Sequence, residues 1–195
     1  QGTPPSTIVR IAREDLLLAA VPSDDVCLHD DTGLQLWRSC RVMLSFLKSH
    51  SSRLLGDSTH VLELGCGQGI IGLYAALLGA SSVTLTDREQ ACVDLCGASA
   101  RLNSLHKTCH AHVLLWPSIE EHQAASREQW GAAAACPVPT HPSGRQLLVG
   151  SDLVYTTQGA QCLARAVDLY MGHHPGSAFL LSHEDRYAVY RAQDG

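Results

Sequence analysis

The run His60-Val61-Leu62-Glu63-Leu64-Gly65-Cys66-Gly67-Gln68-Gly69-Ile70-Ile71-Gly72 decides the fold of this chain. Residues 60–64 read as a short buried strand, the glycines as a tight turn, and residues 70–78 as a helix closed by Gly79. Downstream the alternation continues. The pattern predicts strands over residues 82–86, 111–115, 147–150 and 178–181, and helices over 89–102 and 159–171. Short apolar strands separated by helices argue for an α/β fold, a mostly parallel sheet with helices on both faces.

Upstream of the glycine run, Leu36, Trp37, Cys40, Met43, Leu44 and Leu47 recur at helical spacing behind the turn signal Asp31-Thr32-Gly33, so a helix is expected over 34–47. Residues 1–30 are read as an N-terminal extension or hairpin, because short apolar runs such as Leu16-Leu17-Leu18 could form edge strands. Residues 31–195 are read as a single domain. Within it, 117–145 is an insertion, partly helical at its start and then rich in alanine, proline and glycine.

With 195 residues and a formal net charge of −5, the chain has enough length for one core and lacks the basic footprint that phosphate-backbone binding needs. Nucleic acid is therefore not an expected partner. No apolar stretch reaches the length of a membrane span, no signal-peptide pattern is present, and no membrane partner is expected. The eight cysteines form no CxxC pair and read as reduced, mostly buried thiols, which favours the cytoplasm or nucleus. Cys92, Cys96, Cys109, His110 and His112 lack metal-finger spacing, so no metal is expected.

Chemistry concentrates at the glycine turn. Glycines let backbone N–H groups approach a ligand closely, and the helix N-terminus that follows favours an anion. That anion could be a pyrophosphate or the carboxylate at the methionine end of S-adenosylmethionine. Asp87 ends the next strand, where its carboxylate can accept hydrogen bonds from ribose hydroxyls. Gly67 to Gly72 spells GxGxxG, so a dinucleotide has to be weighed. Against it, about 60 residues precede the turn, whereas a dinucleotide fold opens with it, and Glu63 extends the run to ExGxGxG.

On those residues the chain resembles a class I, seven-strand methyltransferase with a Rossmann-like fold. More narrowly, it resembles the methyltransferase-like protein lysine methyltransferases (methyltransferase family 16). Thr32-Gly33-Leu34-Gln35-Leu36-Trp37, Val61 to Gly67, Thr86-Asp87, Leu102-Asn103, Trp116 and Ser151-Asp152-Leu153-Val154-Tyr155 carry the likeness, and Glu184-Asp185-Arg186 adds to it. The resemblance implies S-adenosylmethionine as cofactor, S-adenosylhomocysteine as product, and a protein substrate methylated on lysine by a monomer. It places Trp37, Glu63, Gly65, Cys66, Gly67, Gly69, Asp87, Trp116 and Ser151 at the cofactor, and Asp152 and Tyr155 at the acceptor. Asp152 is expected to capture and orient the incoming ammonium, with Tyr155 as one wall of the acceptor channel.

Three departures stand out. Leu115 precedes Trp116 where the family often has Asp, the insertion is long, and the C-terminal strand hairpin of the family fold is expected to be missing. Other readings stay open on sequence alone: a histidine-directed or small-molecule methyltransferase, a truncated non-catalytic cofactor-binding or interaction module, and a nicotinamide-dependent oxidoreductase.

Overall fold

The structure is a computed structural model and describes residues 6–11, 14–19, 37–117 and 144–184. Its elements run β1 (Ser6–Ile11), β2 (Glu14–Ala19), α1 (Arg38–Leu54), β3 (Thr59–Leu64), α2 (Ile70–Leu77), β4 (Ser82–Asp87), α3 (Gln90–Leu102), β5 (Cys109–Val113), β6 (Arg145–Ser151), α4 (Thr157–His173) and β7 (Ala178–Ser182). Strands β3 to β7 form one sheet in the order β5-β4-β3-β6-β7, and every neighbouring pair is parallel. β1 and β2 make a separate antiparallel pair.

Strand side chains alternate between two faces, and each face of the sheet has its own core. Val61, Val83, Leu85, Leu147 and Val149 pack with Leu47 of α1, Leu73 of α2 and Cys96 of α3. Leu62, Leu64 and Leu148 point the other way and pack with Leu163 and Tyr170 of α4. The buried Tyr170 hydroxyl donates to the Gln146 side chain at 3.0 Å, which spares its polar end an unpaired position in that second core. The expected arrangement, a parallel sheet with helices on both faces, is therefore the observed one.

Boundaries shift where apolar periodicity is a poor guide. α1 continues to Leu54, well past Leu47, through the polar run Lys48 to Arg53, whose helical turns face outward. β5 starts at Cys109 rather than 111, and Leu115 lies outside it, 68% exposed. α4 begins at Thr157 because the Thr156 hydroxyl caps it, accepting the Gly159 N–H at 3.0 Å.

Within residues 1–30, read as an extension or hairpin, the antiparallel pair β1 and β2 shares the first core. Leu16 and Leu18 are buried there. Asn103, the C-cap of α3, receives the Leu17 N–H at 3.0 Å and donates back to the Leu17 carbonyl at 2.7 Å. Ser99 accepts the Ala19 N–H at 2.9 Å. Of the insertion expected over 117–145, residues 118–143 lie outside the described residues, and Arg145, placed in it, instead opens β6. The expected loss of a C-terminal strand pair concerns residues after Glu184, which also lie outside them, as do Thr32 to Leu36, Asp185 and Arg186.

Candidate functional site

Strand order reverses between β3 and β6: the chain moves from β3 outward to β4 and β5, then returns to β6 and β7 on the other side. In a parallel sheet the connections leave a crevice at such a switch point, at the carboxyl ends of the strands. A cavity of about 670 Å³ lies there.

Most of the residues singled out in the sequence converge on it. Glu63, Gly65, Cys66 and Gly67 come from the end of β3 and its turn, and Asp87 from the end of β4. Trp37 stands at the N-terminus of α1, Trp116 follows β5, Ser151 ends β6 and Tyr155 follows it. Gly69 and Asp152 do not line the cavity.

The glycine turn is built for close packing. Gly65, Gly67 and Gly69 have φ of 58°, 52° and 73°, a region that L side chains rarely adopt. A Cβ on Gly65 would stand 2.6 Å from Leu153 Cδ2, so the turn and the segment after β6 touch across the cavity floor. A Cβ on Gly69 would meet the Cys96 sulfur at 2.7 Å, which explains why Gly69 faces α3 instead of the cavity. Several turn N–H groups are spent internally: Cys66 donates to the Thr86 carbonyl, Gly69 to the Cys66 carbonyl, and Gly67 to Asp87 Oδ2 at 2.9 Å. The nest of anion-binding donors expected from the sequence is thus partly closed on itself.

Two acids hold this turn. Asp87 bridges it to the next one, with Oδ2 accepting from Gly67 and Oδ1 accepting the Glu89 N–H at 3.1 Å. Glu63 is buried and accepts the Gly72 N–H at 2.8 Å. Burial pushes the Glu63 carboxyl up to about 8, with nearby Asp87 adding to the shift and the Gly72 hydrogen bond opposing it. Near neutral pH the balance therefore shifts towards the protonated carboxyl.

Sequence reasoning missed how many thiols the cavity has. Cys40, Cys92 and Cys162 line it beside Cys66. Burial pushes the Cys40 thiol up to about 12, with Glu63 adding to the shift, so at neutral pH it behaves as an apolar wall. The Cys66 and Cys96 sulfurs lie 3.5 Å apart, and the Cys96 thiol also donates to the Gly67 carbonyl at 3.3 Å. The helical spacing of Cys92 and Cys96 was the available signal: both face the sheet from α3.

The two acceptor candidates differ sharply. Tyr155 is 57% exposed at the cavity rim. Asp152 is fully buried, with a left-handed φ of 58°. Its Oδ1 lies 3.2 Å from Nδ1 of His183, which follows β7 and was not singled out in the sequence. Next to it, the Ser151 hydroxyl meets the Ser39 hydroxyl of α1 at 2.8 Å.

This sheet, with its glycine turn and switch-point cavity, is the architecture of a Rossmann-like class I methyltransferase. A sequence profile described as lysine methyltransferase matches residues 25–193, and the chain belongs to that family. Protein N-lysine methyltransferase METTL21A of Danio rerio is 30% identical over 134 residues, 68% of this chain and 53% of the relative. Protein N-terminal and lysine N-methyltransferase EFM7 of Cryptococcus neoformans is 28% identical over 159 residues, 80% of this chain and 47% of the relative. The chain thus spans about half the length of these curated relatives. Among solved structures, coclaurine N-methyltransferase superposes with a TM-score of 0.48 at 17% identity, over 73% of this chain and 36% of the other.

Proposed function

We propose that the chain binds S-adenosylmethionine in the switch-point cavity and transfers its methyl group to a lysine side chain of a protein. The observation that carries this reading is the convergence of the β3 turn, Asp87 and the segment after β6 on one cavity of about 670 Å³, a volume suited to a nucleoside-bearing ligand. Membership of the lysine methyltransferase family supports the reaction type, and the names of the two relatives support a protein acceptor.

The residues present fit the cofactor. Gly65 leaves room for Leu153, whose Cδ2 would stand 2.6 Å from a Cβ there, so the segment after β6 can close against the turn that lines the cavity. Asp87 uses each oxygen once and keeps acceptor capacity for ribose hydroxyls. Trp37 and Trp116 supply flat apolar walls, while Cys66, Gly67 and Ser151 complete the cradle. Gly69 acts behind this surface, by letting α3 approach. Glu63 holds the start of α2 through Gly72, and its burial favours the protonated form beside Asp87. When bound, the cofactor supplies an electrophilic methyl, and the protein's share of the chemistry is positioning and exclusion of water. Tyr155, exposed at the rim, offers a ring face to an incoming ammonium.

We take the chain to act as a monomer on protein rather than nucleic acid, in the cytoplasm or nucleus. A net charge of −5 supports the choice of partner, and described cysteines that form no disulfide support the compartment.

Calorimetric titration with S-adenosylmethionine, S-adenosylhomocysteine and NAD(H) tests the cofactor. Micromolar binding of the first two with none of the third is expected. Binding of NAD(H) alone would transfer the site to the oxidoreductase class, and silence from all three would leave an interaction module. Labelled methyl transfer into protein, recovered as methyllysine after acid hydrolysis, then tests the acceptor.

A further inference from the structure

We propose that Cys66 and Cys96 form a reversible disulfide under sustained peroxide, and that this cross-link closes the switch-point cavity to S-adenosylmethionine. This rests on the cofactor reading above, since the cross-link deforms the turn that cradles the cofactor.

Cys66 is the pin of that turn. Its N–H donates to the Thr86 carbonyl at 2.8 Å, its carbonyl accepts the Gly69 N–H at 2.7 Å, and Gly65 and Gly67 hold left-handed backbone on either side. Its sulfur lies 3.5 Å from that of Cys96, which faces the turn from α3. Both residues are buried, yet Cys66 also lines the cavity, so a small oxidant has a route to it. In a cell compartment that keeps thiols reduced, a disulfide is a transient, signalling bond rather than a structural one.

Closing the pair moves the turn. A disulfide holds its sulfurs about 2.05 Å apart, so these two have to approach by about 1.5 Å. The Cys96 sulfur is wedged behind the turn: a Cβ on Gly69 would stand 2.7 Å from it, and its thiol donates to the Gly67 carbonyl at 3.3 Å. Oxidation removes that thiol hydrogen and with it the bond to Gly67. Gly67 in turn donates to Asp87 Oδ2 at 2.9 Å, so the displacement reaches the carboxylate assigned to the ribose. A disulfide that strains its surroundings is the readily reduced kind, as a switch requires.

The hydrogen bond with Cys96, then burial, then the charges of Cys96, Glu63 and Asp87 push the Cys66 thiol up. The thiolate is the reacting form, so the pair is slow near neutral pH and answers lasting peroxide rather than a brief pulse.

The step balances. The Cys66 sulfur attacks one oxygen of hydrogen peroxide, the O–O bond breaks, and water leaves a sulfenic acid behind. The Cys96 sulfur then attacks the Cys66 sulfur: the S–S bond forms, the S–O bond breaks, and a second water carries off the remaining thiol proton. The two thiols have lost two electrons, and the peroxide has been reduced to two waters.

The test is exposure of the whole chain to hydrogen peroxide at pH 8, followed by alkylation, digestion without reductant and calorimetry. The digest should contain peptides joined through Cys66 and Cys96, lighter than the separate thiol peptides by two hydrogens. The oxidised chain should bind S-adenosylhomocysteine more weakly by about tenfold or more, and dithiothreitol should restore the wild-type affinity. Cys96→Ser, which keeps a donor for the Gly67 carbonyl, should bind before and after peroxide as the reduced wild type does. Cys109→Ser, a buried thiol of β5 outside the pair, should stay as sensitive as the wild type. Absence of the joined peptides, undiminished binding by the cross-linked chain, or a Cys96→Ser variant as sensitive as the wild type would overturn the switch alone. No binding of S-adenosylhomocysteine by the reduced wild type would remove the cofactor reading and the switch with it.

Discussion

The turn after β3 and the turn after β6 sit side by side, at the ends of two strands paired from Thr59↔Arg145 to Leu64↔Gly150. They meet the same crevice by opposite means. The first uses glycines for its left-handed positions and closes on itself through backbone bonds and two acids. The second places a non-glycine residue, Asp152, in the left-handed region and leaves Tyr155 half in solvent. One turn dispenses with side chains so that Leu153 and Cys96 can pack against its backbone; the other keeps its side chains, one buried and one exposed. Glycine marks the first in any sequence, while nothing in the letters Ser-Asp-Leu-Val-Tyr announces a buried, strained aspartate.

The largest effect that would sharpen this contrast is expected at Glu63. Its folded-state pKa is raised by burial to about 8 from 4.5, so the folded form binds the proton more tightly than the unfolded chain does. Stability from this group is full below pH 4.5 and is lost as pH rises through 8. Glu63→Gln should retain the Gly72 bond and melt higher than the wild type at pH 8.5, with the gap closing by pH 4.5; a pH-independent gap would mean that the carboxyl is not protonated in the fold. Next, Gly72→Val should cost about 3 kcal/mol by denaturant unfolding, since even a Cβ there falls 2.4 Å from Leu85 and 2.9 Å from Val83.

Gly69→Ala comes third, at about 2 kcal/mol from steric contact and left-handed strain together. In a Cys96→Ala background that cost should fall by about half, because the sulfur that a Cβ would meet is gone and only the backbone term remains. An undiminished cost would place the strain in the backbone alone. Smallest is Thr156→Ala in the second turn, about 1 kcal/mol for the lost cap on Gly159, with S-adenosylhomocysteine binding unchanged.

The same contrast explains what could be read in the sequence. β3, its turn, α2 and β4 were legible because Val61, Leu62, Leu64, Ile70, Ile71, Val83 and Leu85 serve one structural purpose each and every one is buried. The turn glycines were legible as such, but their division of labour was not: Gly65 faces Leu153 across the cavity, whereas Gly69 faces a sulfur on α3. Only the packing of an element 27 residues downstream separates them. The polar end of α1 carried no apolar period to read, and the partner of Asp152 lies on another strand at a distance that only the β6–β7 register fixes. Local pattern reaches as far as one element and its cap. Pairwise chemistry between strands waits for the sheet.

The clamp of Asn103 on Leu17 joins residues 86 apart in the chain. During synthesis at roughly 5–20 residues per second, the hairpin is made on the order of ten seconds before its dock on α3 exists. Leu16 and Leu18, both destined for the core, must wait through that interval without their partner surface. A two-stranded hairpin is at best marginally stable by itself in water, so this segment gains its support only once α3 has been made.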